Sequence, residues 1–187
     1  MLSISRFTLL TLLLIAPPVH AERADREKPV TIESDKLNVD DRNKVQVFEG
    51  RVKLVQGTLE LLADKMVVTQ DADGFQKGVA TGGKDGLARF RQKREGKNEY
   101  TEGEAERIEY DGRNDKARLF IRAMTRRGQD ETRGQYIEYD GYTEQYSVTS
   151  GPDGEVAKPG GEQVKTIIFP KGVTPETATS TPSPGKR

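Results

Sequence analysis

The stretch Ser34–Asp40, "SDKLNVD", returns as "ADKMVVT" from Ala63, "AERIEYD" from Ala105 and "GQYIEYD" from Gly134. Every copy places apolar residues fourth and sixth: Leu37 and Val39, Met66 and Val68, Ile108 and Tyr110, Ile137 and Tyr139. An apolar period of two is the signature of a strand with one buried face. The copies are 29 residues apart, then 42, then 29 again, so the chain is a doublet of strand groups with a longer central connection. A unit with one apolar face cannot bury it alone, and stacked neighbours must supply the rest of the core.

The same alternation recurs in "VTIES" from Val30, "KVQVF" from Lys44, "RVKLV" from Arg51, "TLEL" from Thr58 and "EQYSV" from Glu144. Turn sequences separate these runs, among them "VDDRNK", "VQGT", "TQDADG", "YDGRND" and "RRGQD". The sequence therefore predicts an all-β domain of repeated antiparallel strand units with almost no helix, arranged as a jelly roll or an open solenoid-like sandwich. The expected inward residues are Val30, Ile32, Leu37, Val39, Val45, Val47, Leu59, Leu61, Met66, Val68, Ile108, Tyr110, Leu119, Ile121, Ile137 and Tyr139. Gly50, inside "FEGRV", reads as a bulge or a tight reversal.

The ends follow other rules. Residues 1–21 have a cationic start, a short apolar run "FTLLTLLLIA" and a small-residue site ending at Ala21, which predicts a cleaved secretory signal. Residues 22–170 form the expected domain, closed by "VKTIIFP". Residues 171–187, rich in proline and threonine, are expected to be a disordered tail.

Composition narrows the chemistry. The one histidine, His20, lies in the signal, and there is no cysteine. An exported chain of this kind has no disulfide, thiolate nucleophile, imidazole base or usual zinc ligand, so no enzyme activity and no cofactor are expected. With 30 basic and 30 acidic residues the chain carries no basic excess for nucleic acid. Hydrophobic residues make up only 33%, a content compatible with disorder, but their regular period argues for a folded sheet.

Other residue groups have ordinary readings. "DADG" from Asp71 and "DGRND" from Asp111 lack the ligand spacing of a calcium loop and suit hairpin turns. Glu104 and Glu106 imitate a glycosidase pair, yet no spacing rule selects them. The tyrosines, all between Tyr100 and Tyr146, could stack sugars or simply pack in strands. "RFRQKREGK" from Arg89 is the one basic cluster, suited either to phosphates or to an exposed face.

Several segments in order, "PVTIESD", "FEGRVKLVQGTLELLADKMVVT", "EGEA", "GQYIEYD" and "VKTIIFP", resemble the OstA-like family of periplasmic lipopolysaccharide-transport proteins. The resemblance implies an open, slightly twisted β-jelly roll whose inner face shelters the acyl chains of lipid A. It also implies copies stacked end to end across the periplasm, between an inner-membrane complex with an LptC-type anchor and an outer-membrane translocon of the LptD type. Carried over by position, acyl-contacting residues fall on Val30 and Ile32, joined by the repeat positions Leu37, Val39, Met66 and Val68. A basic position falls on Lys77, which could meet a lipid A phosphate. Its companion position holds Gln70, a departure for which "RFRQKR" could substitute. On this reading the strand repeats because a groove of uniform cross-section must run the length of the molecule. The competing expectation is an exported β-solenoid glycan-binding module or carbohydrate-active enzyme, which would gather acids and tyrosines in a wet cleft.

Overall fold

The computed structural model describes residues 25, 28–71, 74–94, 97–140, 142–143 and 145–170. The expected signal and tail lie outside them. The described chain is a continuous 12-stranded antiparallel sheet with two short 3-10 turns, Lys84–Gly86 and Pro152–Gly154. Its strands are β1 (Thr31–Glu33), β2 (Lys36–Asp40), β3 (Val45–Gln56), β4 (Leu59–Asp71), β5 (Gly74–Thr81) and β6 (Ala88–Lys93). They continue as β7 (Tyr100–Ala105), β8 (Arg107–Asp111), β9 (Lys116–Arg127), β10 (Asp130–Asp140), β11 (Gln145–Thr149) and β12 (Lys165–Ile167).

The long strands β3, β4, β9 and β10 change partners midway, so the sheet folds into two facing layers. One layer runs β2-β3-β4-β5-β8-β9-β10-β11. The other runs β1-β3-β4-β6-β7-β9-β10-β12. A row of corners joins the layers along one long edge, and turns form two lips along the other. No strand pairing closes the lips among the described residues, which gives the open β-jelly roll expected.

Local chemistry makes the corners. In β3 the register slips between Glu49 and Val52, where Gly50 (φ 80°) and Arg51 (φ 47°) take the left-handed conformation. The expected irregularity at Gly50 is thus the bend that carries β3 between layers. In β9 the bend falls on Ile121 (φ 64°) and Arg122 (φ 53°). Arg51 pairs with Asp35 of the preceding corner, and Arg122 pairs with Glu106 of its preceding corner at 2.8 Å. The Asp35 amide donates to the Gly50 carbonyl at 2.9 Å, and the Glu106 amide to that of Ile121 at 3.1 Å. These exposed ion pairs add little stability singly, but they repeat the same joint twice.

The lips are equally repetitive. Asp40, Asp111 and Asp140, the last residues of three repeat copies, each accept two backbone N–H bonds, from Arg42 and Asn43, Arg113 and Asn114, and Tyr142 and Thr143. Bonds led by Asn43, Asn114 and Thr143 respectively hold all three carboxyls below the usual carboxylate range. "DGRND" is therefore a capped turn, as read from its composition.

A candidate lipid-binding groove

Cross-strand register assembles the site. Starting from Leu37, partner follows partner through Phe48, Met66, Ala80, Ile108, Leu119, Ile137 and Val148, an unbroken apolar row across the first layer. The fourth positions of all four repeat copies fall in this row, one on every second strand. The sixth positions fall in the next row toward the lip: Val39, Gln46, Val68, Gly78, Tyr110, Ala117, Tyr139 and Tyr146. Directly opposed residues share a face, so both rows face the second layer.

The second layer answers with Ile32, Leu54, Leu61 and Phe90, then changes to Gly103, Thr125, Thr132 and Thr166. Phe90 lies over Gly103: a Cβ there would meet the Phe90 ring at 2.2 Å. Close to the corners the inner positions shrink to Ala63, Ala88, Ala105 and Ala123, all at most 5% exposed, where the layers converge. Between the layers lies a groove of about 1440 Å³, part of it open to solvent, lined among others by Val30, Leu59, Leu61, Met66, Phe75 and Leu119.

The outer face of the second layer inverts this chemistry. Glu60, Arg91, Glu102, Arg126 and Glu131 stand side by side with alternating sign, and Arg126 lies 2.7 Å from Glu131. On the outside of the first layer, a hydrogen bond from Arg118 chiefly pulls the Glu138 carboxyl down to about 2, and burial pushes the Tyr136 phenol up to about 12.

The expected site residues divide accordingly. Met66 and Val68 are buried in the inner rows, at 2% and 1% exposure. Val30 lines the groove, and Val30 and Ile32 pack on its core. Leu37 and Val39 also occupy the inner rows, but β2 ends its layer and nothing among the described residues covers them, leaving them 50% and 53% exposed. Lys77 does not join this set. It pairs with Thr69 and Asp111 on the outer face, its Nζ 3.8 Å from Glu109. The arginines of the basic cluster turn outward too: Arg89 binds Glu104, Arg91 meets Glu102 and Arg94 binds Glu99, while Phe90, Gln92 and Lys93 line the groove.

Three inward assignments need correction. Val45 and Val47 lie on the outer face, and Gln46 and Phe48 face the groove, because Phe48 is the residue paired with Met66. Ile121 is 50% exposed because it sits at a corner, where the left-handed bend breaks the alternation. The groove is also not uniform, since the second layer loses its apolar row after Phe90. Conversely, alternation alone does not single out Arg127. It lines the groove at the end of β9, under the rings of Tyr146 and Tyr139, 4.7 and 5.6 Å from their centroids.

Comparison with known proteins agrees with this architecture. The family described as "LptA/(LptD N-terminal domain) LPS transport protein" matches residues 31–145. The lipopolysaccharide export system protein LptA of Escherichia coli K12 is 30% identical over 129 residues, 69% of each chain. The export system protein LptH of Pseudomonas aeruginosa is 25% identical over 148 residues, 79% of this chain and 83% of that protein. The crystal structure of P. aeruginosa LptH, described as the LptA-homologous periplasmic component of the lipopolysaccharide transport device, has the same fold. It superposes with a TM-score of 0.68 at 24% identity, covering 78% of this chain and 99% of that one. Matched by the family over most of its described strands and by LptA at this identity, the chain belongs to the LptA/LptD N-terminal-domain family of lipopolysaccharide transport proteins.

Proposed function

We propose that this protein binds lipopolysaccharide in the periplasm, with the acyl chains of lipid A held between the two layers, and passes it on without catalysis. The unbroken apolar row from Leu37 to Val148 carries this reading. Each methylene transferred out of water is worth about 0.8 kcal/mol, so a chain of roughly a dozen carbons gains about 10 kcal/mol from a continuous apolar lining. Val30, Ile32, Met66 and Val68 are the acyl contacts on this account. Leu37 and Val39 extend the same surface to the exposed end.

End-to-end stacking follows from the two ends. Among the described residues, strands β1 and β2 leave one edge of each layer unpaired, and β11 and β12 leave the other. Exposed apolar side chains flank both ends: Leu37 and Val39 at the first, Ile167, Ile168 and Phe169 at the last. Unpaired edges of this kind invite strand addition. Copies joined in this way would continue the groove, with an inner-membrane complex and an outer-membrane translocon at the termini of the stack.

The test is a photo-crosslinking residue at Ile32 and, separately, at Thr31, in cells making lipopolysaccharide. A lipopolysaccharide adduct from Ile32 and none from Thr31 is expected. Equal adducts would undo the assignment of faces, and no adduct from either in folded, exported protein would overturn the carrier reading.

A further inference from the structure

The two halves of the molecule repeat at a spacing of 71 residues, which brings Asp40 onto Asp111, Arg51 onto Arg122 and Met66 onto Ile137. At three positions near the lips this repeat changes chemistry. Gln56, Val68 and Phe75 in the first half become Arg127, Tyr139 and Tyr146 in the second. All three second-half residues line the groove. Arg127 belongs to the second layer, on the inner face beside Thr101, and the two tyrosines belong to the first. The guanidinium therefore reaches across the open edge from one lip to the other.

Its surroundings set it apart. Arg91, Arg107, Arg118, Arg122, Arg126 and Arg133, on the outer faces and corners, each meet a carboxylate. Among the described residues Arg127 meets none, and its buried Nε has no hydrogen-bond partner there. Arg127 is half-buried, and withdrawing even part of a cation from water without a counter-charge is unfavourable. The faces of Tyr146 and Tyr139 offset part of that penalty and fix the plane of the guanidinium. A planar fork held over aromatic rings, with an unused donor edge, suits a tetrahedral oxyanion.

We propose that Arg127, held by Tyr139 and Tyr146, is an anion-binding clasp inside the groove, taking a phosphate monoester of the bound glycolipid. This rests on the lipopolysaccharide reading above. The ligand would then be oriented: its chains lie toward the apolar rows, and its phosphorylated head sits at the lip of the second half, where Thr101, Thr125 and Tyr110 also line the wall. The first half, with Gln56 at the equivalent place, would hold chains without a head.

The experiment measures binding of bisphosphorylated lipid A and of the same lipid enzymatically dephosphorylated, to the wild-type protein, Arg127→Gln and Arg127→Lys, with thermal melts alongside. The wild-type protein is expected to prefer the phosphorylated lipid by about tenfold or more, as a charge-assisted bidentate contact implies. Arg127→Gln should bind both lipids alike, at the wild-type affinity for the dephosphorylated one. Arg127→Lys, which keeps the charge and loses the fork, should retain a smaller preference. The proposal is overturned if Arg127→Gln keeps the wild-type preference, or if it weakens both lipids equally, which would make Arg127 only part of the wall. Failure of the wild-type protein to bind either lipid would instead overturn the lipopolysaccharide reading, and the clasp with it.

Discussion

Strands β2–β5 and β8–β11 are two editions of one design, related residue by residue at a spacing of 71. What they keep is the frame: the acid–arginine corners Asp35–Arg51 and Glu106–Arg122, the capped turns at Asp40 and Asp111, and the apolar row through Met66 and Ile137. What differs is the chemistry hung on it. Leu54 and Leu61 of the second layer's inner row become Thr125 and Thr132, and outer Val47 and Val67 become Arg118 and Glu138. At these four positions the first half is the more apolar. Frame and lining can therefore differ independently between the halves, because corners and turns set the path of the chain while the face between them carries different side chains.

The largest effects should test the shared frame. Met66→Ala and Ile137→Ala, at equivalent buried positions, should each destabilise by about 2–5 kcal/mol in denaturant titration. Values differing by more than the usual scatter would break the equivalence of the halves. Gly103→Ala sits where the lining changes. Its Cβ must displace the Phe90 ring, so a loss of about 1–3 kcal/mol is expected, and Gly103→Ala with Phe90→Leu should recover part of it.

Acid should act on the halves unequally. Glu138 has its carboxyl depressed to about 2, chiefly by the hydrogen bond from Arg118, and its counterpart Val67 cannot titrate. A depressed carboxyl stabilises the fold above its unfolded value near 4.5, and that contribution is lost as pH falls from there toward 2. Hydrogen exchange over that window should show protection fading in β9 and β10 before β3 and β4. Glu138→Gln should flatten the difference. Its size is modest, since Glu138 is partly exposed and water screens the pair.

The smallest effect concerns Leu37, counterpart of Ile108. Leu37→Ala should change stability by no more than about 0.5 kcal/mol, because half of Leu37 is already in water. Its loss should instead show in sedimentation, as weaker association between copies. Equal destabilisation by Leu37→Ala and Ile108→Ala would mean that the end strand is covered in the isolated protein.

Much of this was legible in the chain. The repeat copies named every second strand of the first layer, and Gly50 named a corner. The central spacing of 42 reflects longer connections at residues 82–87 and 94–99, not an added unit. Alternation failed where it was ambiguous or interrupted. "VQVF" offers apolar residues on both parities, and only its pairing with Met66 selects Phe48. At Ile121 a left-handed bend resets the count. Lys77 rests on resemblance alone, and the parity of its strand, with Gly78 opposite inner Val68, gives it the outer face. Arg127 left one trace in the sequence, as a cation two residues beyond an inward threonine at the place where the first half has Gln56.

The account stands or falls on whether lipid travels the whole groove, including its altered second half. A photo-crosslinker moved one residue at a time through Tyr136, Ile137, Glu138 and Tyr139 tests this directly in cells making lipopolysaccharide. The account predicts adducts at Ile137 and Tyr139 and none at Tyr136 and Glu138. Adducts confined to the first half, or spread evenly over all four positions, would contradict it.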